Sequence, residues 1–169
     1  VVAHIGGEPA NMPEIMALAK KYQLKVVEDC AQSHMAKING QNVGSFGDVS
    51  AFSLMFGKHM STGGQGGAVF TKSEEIYWNI RRVADRGKPF NLPAVIGRVQ
   101  LKKLPDIVAR REAFVNLLIK KGMNQLKAIK IPEVPKWANH CYWWWKLRID
   151  SAALKVNRND FCAALIAEG

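Results

Sequence analysis

Two stretches of this chain concentrate the side chains that do chemistry: EDCAQSH, residues 28–34, and GSFGDVSAFSLMFGKHMSTGGQGGAVFT, residues 44–71. In the second, Lys58 stands in a loop bracketed by Gly57 and by Gly63, Gly64, Gly66 and Gly67. A lysine amine is a nucleophile toward carbonyl groups, and glycine lets backbone approach a bound molecule. Asp29 closes an apolar run, which places it at the C-terminal end of an expected strand, where open α/β sheets receive ligands. Ser53 offers a hydroxyl that donates to anionic oxygens, Gln32 an amide, and His34 and His59 imidazoles. Each residue alone has an ordinary reading: a surface lysine, a strand-end acid, a loop amide, a serine bonded to backbone, a packed or surface histidine. For His34 the ordinary reading, a packed or surface histidine, is preferred. STGGQGG is not a P-loop, which needs GK[ST] after four spacer residues.

The elements that must position these groups are legible as patterns. Asn11 to Gln23 predicts a helix with Asn11 as cap, Pro13 in the first turn, and Ile15, Leu18, Ala19 and Tyr22 on one apolar face. LKVVE, residues 24–28, predicts a buried strand. A helix leading into such a strand is a half-step of a layered α/β fold. Asn39-Gly40 is a hairpin signal. VSAFSL (49–54) and residues 68–71 predict strands. Ser73 is placed to cap a helix running to about Arg86, with Ile76, Ile80 and Val83 inward. Pro105 is expected to open a long helix with Ile107, Val108, Arg111, Phe114, Val115, Leu118 and Ile119 at helical spacing. HCYWWWKLRID (140–150) alternates as a strand, which makes Trp144 the exposed tryptophan and Trp143 and Trp145 core. Arg158 to Ala167 predicts a closing helix.

Composition narrows the class. The chain has 169 residues, 48% of them hydrophobic, enough for a packed core. Cys30, Cys141 and Cys162 have no CxxC or Cys/His ligand spacing, which argues against a disulfide scaffold or structural zinc and fits a reducing compartment. The net charge of +10 would attract anions, but the basic residues spread along amphipathic helices as solvated faces. No apolar run reaches transmembrane length. The N-terminus lacks an initiator Met and the charged, apolar pattern of a signal peptide. A start inside a longer protein and a cut C-terminus are therefore expected.

The order ED-x-A-Q-x-H, then G-x-x-G-D-x-x-x-F-S, then a lysine five residues after the serine, then a glycine-rich strand entry, resembles the DegT/DnrJ group of pyridoxal-phosphate (PLP)-dependent aminotransferases. That group acts on keto sugars, usually carried on a nucleotide, and the match covers most of the chain. The resemblance implies an α/β fold: part of the large domain of a PLP-dependent transferase of type I, then the start of a small α+β domain. Residues 1–92 would be the C-terminal part of the PLP-binding large domain. Residues 93–169 would be a long helix and a partial small domain. Lys58 would bind the cofactor covalently and, once freed, shuttle the proton. Asp29 would pair with the pyridine nitrogen, Gln32 with the ring hydroxyl and Ser53 with the phosphate. Ala31 would lie against the ring face and His59 near the substrate. No metal is implied. The reaction would be a ping-pong transamination from glutamate or glutamine to a keto sugar in amino-sugar biosynthesis, in the cytoplasm, by a homodimer with active sites between its subunits.

Against the family pattern, the N-terminal half with its glycine-threonine phosphate site and ring-stacking aromatic is missing; helix N-termini are natural phosphate sites. RGKPFNLPAVIGRVQL joins two helices where the family carries an Asn-x-Arg segment, so an internal deletion is expected and Asn91 is not assigned that role. Gln65 stands for the usual glutamate and Met35 for the usual glycine. Three other readings stay open: a non-catalytic or sensor relative, a sugar dehydratase (whose histidine at the lysine position is not found at Lys58), and a basic nucleic-acid-binding module, for which no groove-reading motif is present.

Overall fold

The computed structural model describes residues 1–84 and 91–168, residues 91–93 by their backbone alone. The expected helix end near Arg86 and the RGKPF part of the join lie outside the described residues. The chain divides into two compact units, Val1–Glu112 with Val134–Trp144, and Ala113–Glu133 with Trp145–Gly169.

In chain order the elements are β1 (Val2–Ala3), α1 (Met12–Lys21), β2 (Val27–Asp29), β3 (Lys37–Ile38), β4 (Gln41–Asn42), β5 (Val49–Ser53), β6 (Gly67–Thr71), α2 (Glu74–Ala84), α3 (Asn91–Lys120), β7 (Ile129–Lys130), β8 (Ala138–Asn139), β9 (Arg148–Ile149) and α4 (Arg158–Ala167). In the first unit one sheet has the order β1-β2-β5-β6. Its first three strands are parallel, and β6 returns antiparallel to β5. The second sheet, β4-β3-β8, is built on the Asn39-Gly40 hairpin. Both turn residues have positive φ, 48° and 82°, the geometry that makes Asn-Gly a hairpin signal.

α1 buries Met12 and Ala19, with Ile15 and Met16 packed on the same core cluster. This face is one step round from the expected one, and Leu18 and Tyr22 are exposed. Asn11 precedes the helix, but its side chain makes no cap bond. Ser73 does cap α2, accepting from the Ile76 amide at 3.3 Å. The expected inner face of α2 is open: Ile76 and Ile80 are half-buried and Val83 is 73% exposed. Within LKVVE it is Val26 and Glu28 that are buried, while Leu24 and Val27 are exposed.

Pro105 lies inside α3 instead of opening it. Leu104 and Val108, one turn apart on either side of it, pack into the same small core with Leu54 and Met60, and this burial offsets the lost backbone bond. HCYWWWKLRID is not one strand; only Arg148–Ile149 is paired within it. Tyr142 takes φ 49°, its amide donates to His140 Nδ1, and Arg111 donates to the Tyr142 and Trp143 carbonyls. Side chains therefore replace the ladder. Trp144 is exposed as expected, while Trp143 and Trp145 are half-buried and not core.

In the second unit β7 and β9 pair antiparallel. Lys130 forms an ion pair with Asp150 at 3.6 Å. α4 matches its expected range and is capped by Asn157, which accepts from the Asp160 amide at 3.0 Å. Among the described residues no helix is long and apolar enough to cross a membrane.

Candidate active site

Strand alternation separates the two acids of EDCAQSH. Glu28 points into the core and is fully buried. Its carboxylate accepts from the amides of Gly44, Phe46 and Gly47 at 2.6 to 2.8 Å, and from His4. Burial raises its pKa, but these four donors outweigh burial and hold it below the ordinary value. Asp29 points the other way and is exposed at the strand end, accepting among the described residues only from the Ala31 amide at 3.0 Å. The sequence does not reveal that Glu28 is structural; period-two alternation beyond Val26 was the available signal.

His4, Glu28 and Cys30 bring three potential metal ligands together. His4 Nδ1 accepts from the Ala10 amide at 3.0 Å, which puts its proton on Nε2, facing Glu28. With that proton and three amides on the carboxylate, the cluster is a closed hydrogen-bond network and not a cation site. Burial, then the Glu28 charge, pushes the Cys30 thiol up to about 12. Burial likewise raises Cys141 to about 12, so neither thiol is a nucleophile at neutral pH.

The register sets Asp29 beside Ala51. Ser53, two residues on, ends the neighbouring parallel strand on the same edge. Ala31 and Gln32 lie in the turn after β2, both half-buried. Gln32 Oε1 accepts from the Gly6 amide at 2.7 Å, which fixes the amide orientation and turns the NH2 end away as a donor.

Lys58 follows in the turn after β5, half-buried. Its amide donates to the Met55 carbonyl at 3.2 Å. Its Nζ lies 4.0 Å from the centre of the Trp143 ring, whose Nε1 donates to the Gly57 carbonyl. Gly57 is needed for its φ of 85°, since a Cβ there would meet nothing within 4 Å. The following glycines close the loop on β5: Leu54 donates to Gly66 and Phe56 to Gly64, each at 2.8 Å. These two bonds shape the loop.

His34 and His59 connect the two motifs from below, their rings 5.8 Å apart, with Phe52 edge-on to His34. His34 is packed and not at the surface, one of its two ordinary readings. His59 is only 4% exposed and bonds the Cys141 carbonyl through Nε2 at 2.9 Å. From that position the ring supports the lysine loop from inside. Burial, with His59 and Lys58 nearby, lowers the His34 pKa to about 4. Burial also lowers His59, with Arg111 and Lys58 acting in the same direction and the Cys141 carbonyl opposing. Both rings are neutral at pH 7. Trp143 and Arg111 are the neighbours that residue patterns did not mark.

The sequence pattern of one family matches residues 1–169. The chain belongs to the DegT/DnrJ/EryC1/StrS aminotransferase family. This DegT/DnrJ/EryC1/StrS chain is 47% identical over 87 residues to the UDP-N-acetyl-3-dehydro-alpha-D-glucosamine 3-aminotransferase of Acidithiobacillus ferrooxidans, covering 52% of this chain and 24% of that protein. It is 32% identical over 156 residues to the GDP-perosamine synthase of Escherichia coli O157:H7, covering 83% and 42%. Among solved structures it is similar to S. venezuelae DesV in complex with a ketimine intermediate, with a TM-score of 0.85 and 26% identity, covering 98% and 47%. The α/β fold is that of these aminotransferases. The chain spans a quarter to a half of the length of these relatives.

Proposed function

We propose that this chain is part of a PLP-dependent aminotransferase that moves an amino group from glutamate or glutamine to a keto sugar carried on a nucleotide. The observation that carries the reading is the set of uncommitted groups on one edge of the first sheet. Among the described residues, Lys58 makes no ion pair and only its contact with the Trp143 ring face; the Gln32 NH2 and the Ser53 hydroxyl have no hydrogen-bond partner, and Asp29 accepts one amide. An amine, an amide donor, a hydroxyl donor and a carboxylate suit the aldehyde, ring hydroxyl, phosphate and ring nitrogen of PLP, and Ala31 leaves room for its ring face. The names of the two sugar-nucleotide relatives support the substrate class.

When bound, PLP supplies an electron sink. Lys58 Nζ anchors the cofactor and takes and returns the proton at the donor's Cα. Asp29 holds a proton on the ring nitrogen. Gln32 and Ser53 orient the ring and the phosphate by donating to oxygens. The neutral, buried His34 and His59 put no second cation beside the lysine. Residues 1–92 serve as the cofactor-binding part and residues 93–169 as the long helix and the start of a small domain. The protein acts in the cytoplasm. A homodimer is supported by the apolar groups left exposed on β6 and α2, among them Phe70 and Val83.

The test is to add PLP to the purified chain, reduce with borohydride and map the modified peptide. A single stable adduct on Lys58, lost in Lys58→Ala, is expected. Labelling scattered over many lysines would sink the assignment.

A further inference from the structure

The segment after β8 folds back over the loop that carries Lys58, and it is fixed independently of the lysine. The Cys141 and Trp144 amides donate to the Gly7 and Gly6 carbonyls at 3.0 and 2.9 Å. Arg111 holds the Tyr142 and Trp143 carbonyls. Trp144 stacks on Trp143 with ring centres 4.2 Å apart. On this support the Trp143 indole makes two contacts with the loop. Its Nε1 donates to the Gly57 carbonyl at 3.2 Å, and its face lies 4.0 Å from Lys58 Nζ. An indole face attracts an ammonium group electrostatically, most strongly where water is partly excluded.

We propose that Trp143 is a positioning residue for Lys58: its face holds the amine, its N–H pins the loop at Gly57, and a carbonyl compound reaches the amine by displacing it from the ring. Trp143 acts through Lys58 and does not itself touch the reacting atoms. The functional meaning rests on the reading of Lys58 as the cofactor-bearing lysine, but the protection of the amine does not.

Trace acetylation of the whole chain, followed by peptide mapping, compares Lys58 with the exposed Lys20 in the same molecule. Lys58 is expected to react several-fold more slowly than Lys20. Trp143→Leu should raise the Lys58 rate about fivefold relative to Lys20. Trp143→Phe keeps a ring face without the N–H and should stay within about twofold of the unaltered protein. An unchanged Lys58 rate in Trp143→Leu overturns the proposal, as does a Phe variant labelled as fast as the Leu variant. If Trp143→Leu loses its thermal transition, the Phe variant decides: a rate within about twofold supports the proposal and a larger rise overturns it. Protection without a borohydride adduct would sink the cofactor reading and leave the Trp143 contact standing; an adduct without protection would do the reverse.

Discussion

His4 Nε2 donates to Glu28 Oε2 at 3.2 Å, joining two fully buried side chains 24 residues apart in sequence. Through this pair the turn after β1 is tied to β2, and through the other bonds of Glu28 to the Gly44–Gly47 loop. One carboxylate thus fixes the relative positions of three segments that lead to the candidate site.

Replacing that carboxylate should be costly. Glu28→Gln turns an amide NH2 toward a group of N–H donors, so about 3 kcal/mol of stability should be lost, read from urea unfolding. Because folding lowers the Glu28 pKa, its contribution is complete above the ordinary carboxylate range and disappears as pH falls through the lowered folded value. A variant as stable as the parent at pH 7 would show that the network is not a structural anchor.

His34 gives a second pH dependence in a higher window. The folded ring takes up its proton near pH 4, against an ordinary value of 6.5, so between these values the unfolded chain binds more protons. Stability should therefore fall as pH drops from about 6.5 to about 4, by about 3 kcal/mol in total. His59, also lowered, adds to the fall. His34→Gln should flatten part of the slope between pH 7.5 and 4.5 in urea titrations; an unchanged slope would count against this account.

Asp29→Asn separates structure from chemistry. The side-chain oxygen of asparagine can still accept from the Ala31 amide, so stability should change by less than about 0.5 kcal/mol. The borohydride adduct on Lys58 should survive. In the assembled enzyme the half-reaction with glutamate should slow about a hundredfold or more, because an amide cannot hold the ring-nitrogen proton. Equal rates would remove Asp29 from its assigned role.

Two glycines of positive φ should respond differently to alanine. At Gly40, φ 82°, a Cβ meets nothing within 4 Å, so Gly40→Ala should cost about 1 kcal/mol of backbone strain. At Gly7, φ 102°, the Cβ would lie 2.8 Å from Cys141 Sγ and 3.0 Å from the amides of Tyr142 and Trp143. Gly7→Ala should cost about 3 kcal/mol or more, measurable by thermal unfolding; equal costs at the two positions would refute the close approach.

The parts of this fold that rest on local chemistry were legible. The Asn39-Gly40 hairpin, the Ser73 cap and the extent of α4 each follow from residues a few positions apart. What escaped depends on distant partners. Alternation made residues 140–150 a strand, but Arg111 and His140 satisfy that backbone instead. Pro105 marked a helix start until Leu104 and Val108 found a shared core. In the site, the resemblance to the family's motif named Asp29, Ala31, Gln32, Ser53 and Lys58 as a set. It was silent on Trp143 because nothing nearby in sequence ties that ring to Gly57, 86 residues earlier.

That separation also sets an order of assembly. The first unit is discontinuous: residues 113–133 are made before the segment that completes it. A nascent chain can form the β3–β4 hairpin as soon as it emerges. It cannot give His59 its acceptor on Cys141, 82 residues on, nor cover Lys58 with Trp143, until that later stretch has been synthesised. Such long loop closures slow folding, so the lysine loop is expected to be among the last parts of the unit to settle and the most accessible to proteases during synthesis.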